Sequence, residues 1–184
     1  MPTLNASKWG YVVSSNFNNH SDARGQSTGF TVASNPSSGT AEAIRYRRFS
    51  AKGGATFYAV TRAFYYFDTS AITGTVSAAT LNIRSGAVTS GNDVIVVKST
   101  AFGGNGSSNL ATSDLGNVSF SATRSGQTTY SSGTNNAITL NAAALTEIQN
   151  NNAFIVAVLQ YSNDHQDSAL GTNDDLSNEI NYAT

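Results

Sequence analysis

The sequence predicts an all-β protein, an antiparallel two-sheet β-sandwich, jelly-roll-like, with one short helix. Two observations lead there. Short runs of β-branched and aromatic residues recur between clusters of Gly, Asn, Ser and Thr, which is the pattern of strands joined by turns. Several of these runs alternate. Leu81 and Ile83 fall on one side of an extended chain and Asn82 and Arg84 on the other, the period of a half-buried strand.

Strands are expected at Tyr11–Ser15, Phe30–Ala33, Ala43–Phe49, Ala55–Asp68, Ala79–Arg84, Val94–Ser99, Val118–Phe120, Ala137–Leu140, Ala153–Gln160 and Glu179–Tyr182. Ala153–Leu159 and Val94–Val97 are apolar on both sides and predict central strands. Ala55–Asp68 is long, so a bulge or a bend between sheets is expected near Thr61. Its end, Phe64-Tyr65-Tyr66-Phe67, places aromatic rings on both faces of one strand. The helix is "NAAALTEIQNNN": Asn141 is the N-cap, the Asn run from Asn150 supplies a left-handed C-cap, and Leu145 with Ile148 form the buried plug. Gly103–Asp114, Thr123–Asn136 and Ser162–Asn178 read as loops. Two packed sheets fit these pieces best, with a closed jelly roll as the alternative.

The 184 residues suit a single domain, 1–184. Charged residues are 11% of the chain and the formal net charge is −1, so no broad electrostatic footprint for nucleic acid is expected. Bases concentrate early, including Arg45, Arg47, Arg48 and Lys52. Acids concentrate late, including Asp164, Asp167, Asp174, Asp175 and Glu179. Strands mix in space, so this asymmetry should fade on folding. Cysteine is absent, which removes disulfide and thiolate chemistry. The Met start without an apolar leader predicts synthesis and release in a cytoplasm, and no run approaches a membrane helix.

Motifs for catalysis fail on context. "GQSTG" (Gly25–Gly29) matches the nucleophile elbow around Ser27, but a polar loop precedes it and a strand follows, whereas the elbow needs a strand-to-helix turn. His20 and His165 lie in polar stretches with no second ligand at zinc spacing. "NDHQD" (Asn163–Asp167) and "TNDD" (Thr172–Asp175) gather oxygen ligands suited to a structural calcium, without the EF-hand spacing. No cofactor is expected. "RYRRF" interleaves bases with aromatics, and Arg45 and Arg47 share one face, a candidate docking surface. Trp9, Tyr58, Phe64 and Tyr66 are candidates for an exposed aromatic binding surface, with burial in the core as the competing reading.

"TRAFYYFDTSAITGTVSAATLNI" (Thr61–Ile83) resembles the signature of DNRLRE-type β-sandwich domains, through Arg62, Phe67, Asp68, Ile72, Ala79 and Leu81. "DVIVVKS", "NAITLNAAALTEIQNNNAFIVAVL" and "EINYAT" are similar to that family's following strand, its helix with the penultimate strand, and its terminal strand. The resemblance spans residues from Thr61 onward and makes 55–184 the core. Residues 1–50 are left as N-terminal strands and a docking segment. It implies a sandwich of the kind found in structural proteins of tailed bacteriophages and in bacterial surface carbohydrate-binding domains. The first expectation is thus a non-catalytic virion protein, a capsid decoration or a head or tail appendage. Its partners would be capsid or tail proteins, host surface glycans and, as a homo-oligomer, its own copies. A soluble carbohydrate-binding module is the alternative, and a small hydrolase built on His20 or His165 a remote third.

Overall fold

The computed structural model describes residues 3–35, 40–50, 54–88, 93–171 and 175–181. Lys52, Thr172–Asp174 and Tyr182–Thr184, which carry parts of the readings above, lie outside the described residues. The chain is an all-β sandwich of two antiparallel sheets, 46% strand. In chain order the strands are β1 (Lys8–Phe17), β2 (Thr31–Ser34), β3 (Thr40–Ser50), β4 (Thr56–Asp68), β5 (Thr80–Val88), β6 (Asp93–Ser99), β7 (Val118–Thr123), β8 (Thr128–Thr129), β9 (Asn135–Thr139), β10 (Ala153–Gln160) and β11 (Asp175–Asn181). The α-helices are α1 (His20–Gly25) and α2 (Ala142–Asn150).

Strand β4 organises everything else. One edge pairs with β1 from Tyr58 to Tyr66. On the other edge, Thr56–Thr61 pair with β3 while Ala63–Asp68 pair with β10. The neighbour changes at Arg62, so two ladders diverge from one strand. From β10 the sheet runs on to β6 and β7; from β3 it runs through β11 to β5 and β9. The irregularity expected in β4 near Thr61 is therefore a fork. The register shift itself lies in the neighbour β1, between Ser14 and Phe17.

The strand alternation holds, and both faces of the central strands are buried. Tyr65 belongs to the core between the sheets, with Leu81, Ile83, Val96, Ile138, Phe154 and Val156, and Phe67 packs against it. Phe64 belongs to a second core on the opposite face, with Val60, Ile95, Val97, Leu159 and Phe102, and Tyr66 packs against that one. Strand β10 feeds both cores in turn, as its continuous apolar run predicts. Each fully buried Val, Leu, Ile or Phe contributes roughly 1.5–3 kcal/mol, so a strand greased on both sides is worth about twice a surface strand.

Among the described residues no third sheet covers the second core. The segment after β6 does so, placing Ala101, Phe102, Leu110 and Leu115 on it. The expected loop Gly103–Asp114 is thus bounded by buried residues and works as a lid. Gly106 shows how close the fit is: its φ is +82°, and a Cβ there would lie 2.3 Å from Tyr66 Cζ.

Helix α2 starts as read, with Asn141 Oδ1 accepting from the Ala144 amide at 3.1 Å. Its buried stripe is Ala144 and Ile148 rather than Leu145 and Ile148; Leu145 is half-buried. Positions four apart share a face, and the small Ala144 lets the helix lie close to the core. Its C-cap, Asn151, is extended (φ −117°) instead of left-handed, because the chain enters β10 two residues later. The short helix α1 occupies a stretch read as loop. Asn19 caps it, accepting from the Asp22 amide at 2.8 Å, and Ala23 is its buried residue.

Candidate functional site

Where β10 leaves β4, a five-residue π-turn (Tyr161–His165) swings Asp164 under the fork. Asp164 there meets Arg62, and both side chains are fully buried. Arg62 Nε donates to Asp164 Oδ2 at 2.8 Å and Nη2 donates to Oδ1 at 2.6 Å. The remaining donors reach the Leu115 carbonyl at 2.7 Å and the Arg24 carbonyl at 2.8 Å. One guanidinium thereby ties together β4, the π-turn, the lid and α1. Its planar fork suits a bidentate carboxylate, and burial strengthens each bond.

Both histidines stand beside this ion pair, each with both ring nitrogens engaged. His20 Nε2 lies 3.0 Å from Asp167 Oδ1. Its Nδ1 lies 2.8 Å from the Tyr46 hydroxyl, which also donates to the His20 carbonyl at 3.1 Å. This Asp–His–Tyr chain has the order of a proton relay, but its terminal phenol is fully buried in β3. Burial first, and then the Asp164 charge, push the Tyr46 hydroxyl above its ordinary range, so it stays protonated and resists acting as a nucleophile. His165 Nε2 donates to the Phe120 carbonyl at 3.0 Å and its ring stacks on Tyr161. Arg24 Nε donates to the Asp164 carbonyl at 2.5 Å, and its guanidinium lies 4.1 Å from the Phe120 ring centre. Early bases and late acids thus meet in space, as their separation along the chain required.

Within the oxygen-rich run Asn163–Asp167, Asn163 and Asp164 are buried while Gln166 and Asp167 stay exposed, and no group of metal-ligating side chains forms among the described residues. The Ser27 motif sits between α1 and β2, a helix-to-strand connection, which removes the geometry of a nucleophile elbow.

The continuous aromatic platform does not form. Phe64 is fully buried, because the lid lies over its face of the sheet. Tyr66 is half-buried, with Gly106 and Phe102 against its ring. Tyr58 is half-buried between His20 and Arg48. Trp9 packs on the inter-sheet core opposite Tyr65 and holds β1 in place. Arg45 and Arg47 are half-buried on β3, and Arg47 stacks 4.2 Å from the Phe49 ring centre. The exposed large apolar side chains among the described residues are Leu4 and Phe30, the latter 74% exposed.

A groove of about 490 Å³ opens at the other end of the sandwich. The end of β6 and the Gly104–Asn105 turn form one wall, and the end of α2 forms the other. Asn150, Asn151 and Asn152 line it and are exposed. Glu147 stands within it, bound to Lys98 at 2.9 Å and to Arg124 at 2.6 Å. Sequence reading took this Asn run only as a cap; three adjacent amides after a helix were the available signal.

The fold and these sites define a two-sheet β-sandwich with closed polar knots and, among the described residues, an open, amide-lined groove. No family model matches the chain, and no curated protein or solved structure matches it. Among the described residues no helix is long and apolar enough to cross a membrane.

Proposed function

We propose that this protein is a non-catalytic structural module of a tailed bacteriophage particle, displayed on the capsid or a tail appendage and working by protein–protein contact and glycan adhesion. The observation that carries this reading is the distribution of exposure. The large apolar side chains left exposed among the described residues, Leu4 and Phe30, both fall in residues 1–50, the segment read as the docking region. Such anchors are what an interface core uses. Charged residues are only 11% of the chain, and the histidines are held by internal partners. The resemblance of Thr61–Ile83 to the DNRLRE-type signature supports a phage setting.

The test is composition. Purified particles, analysed by mass spectrometry, contain this chain at stoichiometric copy number, and Phe30→Ser lowers its occupancy at unchanged folding. Absence of the chain from particles refutes the reading. A soluble carbohydrate-binding module is the second reading, favoured by the open groove.

A further inference from the structure

We propose that the groove at the end of α2 binds a neutral saccharide through the side-chain amides of Asn150, Asn151 and Asn152. This deepens the adhesion reading and rests on its glycan half. It moves the contact away from the aromatic residues, of which Phe64 is buried and Trp9, Tyr58 and Tyr66 are half-buried, to residues no aromatic argument selects.

The amides stand on a fixed backbone. The Asn151 amide donates to the Glu147 carbonyl at 3.1 Å, and the Asn152 carbonyl accepts from the Thr69 amide at 3.1 Å. The Asn151 carbonyl accepts from Thr69 Oγ1 at 2.5 Å. All three residues are exposed, and their carboxamides make no hydrogen bond within the described residues. Stems held in place and heads left free are the condition for binding with little ordering cost.

Charge selects the ligand class. The charged side chains that line the groove, Lys98 and Glu147, bind each other at 2.9 Å, so the lining offers a ligand one matched pair and otherwise neutral polar groups. A carboxamide offers two donors and an acceptor, and a sugar hydroxyl is both donor and acceptor. Neighbouring hydroxyls on one ring can therefore pair with one amide in two directions. Thr100 and Asn105 extend the polar wall, while Ala153 and Ile155 give a small apolar strip for ring C–H groups. The volume of about 490 Å³ lies inside the span of small-ligand clefts, roughly 300–1,000 Å³. A peptide main chain would instead seek a strand edge, and this groove displays side chains at a helix end. With no aromatic platform, a single site should be weak. Many copies on one particle would raise avidity by about 10²–10⁴.

The experiment is a titration of the ¹⁵N-labelled full chain with glucose, galactose, mannose and N-acetylglucosamine, and with short neutral oligomers of each. N-acetylneuraminic acid and an extended neutral peptide serve as controls. The expected result is movement of the Asn150–Asn152 side-chain NH₂ signals with at least one neutral sugar. The Asn150→Ala/Asn152→Ala variant should lose about tenfold in affinity with an unchanged amide spectrum elsewhere. The proposal is overturned if no neutral sugar moves these signals, if the shifts map to another surface, if the double variant binds as wild type, or if only the peptide or the acidic sugar acts. Particle content separates the two readings. Sugar binding by a chain missing from virions refutes the phage setting alone, whereas a virion protein without sugar shifts refutes the groove alone.

Discussion

Replacing Arg62 with Met keeps a stem of similar length and deletes four buried hydrogen bonds. Asp164, with no exposed surface, is then a charge in the interior without its counter-ion. Breaking a buried pair in this way costs about 3–5 kcal/mol. The Leu115 and Arg24 carbonyls lose their donor and add roughly 1 kcal/mol each. The sum is about half the stability of an ordinary domain, which is ~5–15 kcal/mol. With a urea slope of roughly 2 kcal/mol/M, the unfolding midpoint should fall by about 2.5–3.5 M. Asp164→Asn, which keeps both carbonyl bonds, should fall less. The double variant Arg62→Met/Asp164→Leu removes both charges and should return to within about 2 kcal/mol of wild type. Added salt should leave the wild-type pair unaffected, since burial shields it from screening. Urea unfolding followed by tyrosine fluorescence reads all four proteins. If Arg62→Met shifts the midpoint by less than about 0.5 M, or if the double variant is no better than the single, the pair is not what holds the fork.

Gly106→Ala sets a Cβ 2.3 Å from Tyr66 Cζ at φ +82°; the left-handed backbone alone costs about 1–2 kcal/mol, so Tm should drop by about 2–8 °C, and Tyr66→Ala in the same chain should relieve the steric part. Tyr130 has a buried hydroxyl with no partner, so Tyr130→Phe should gain about 1 kcal/mol and raise Tm by about 2–4 °C. Burial raises both the Tyr46 and the Tyr130 hydroxyl above the ordinary value of 10.0. The neutral phenols therefore stabilise the fold fully below pH 10 or so, and that stability is lost as pH rises above it; a titration of phenolate absorbance should show these two ionising only with unfolding. Asn141→Ala removes the cap on α2 and should cost about 1 kcal/mol by thermal melting.

Period-two patterning made most of the sandwich legible. It placed Phe64 and Tyr66 on one face and Tyr65 and Phe67 on the other, and it marked β10 and β6 as central. What covers the second face was not legible, because the lid presents only Phe102, Leu110 and Leu115 among Gly, Ser and Asn, with no period at all. The fork at Arg62 was hidden for a different reason. Its partner stands 102 positions away, and the sequence, which marks Arg62 only through the family resemblance, carries no sign of that pairing. Helix α1 left a local trace, an Asn three residues before an Asp, too short to outweigh its polar surroundings. The amide groove was overlooked because the same Asn run also makes sense as a helix end.

Strand β4 is completed by a residue that the ribosome adds 102 positions after Arg62. Until Asp164 emerges, the guanidinium of Arg62 has no carboxylate to accompany it into the interior, and the junction of the two ladders stays open to water. A fragment ending before the π-turn would carry most of the strands and still lack the clasp that lets them settle.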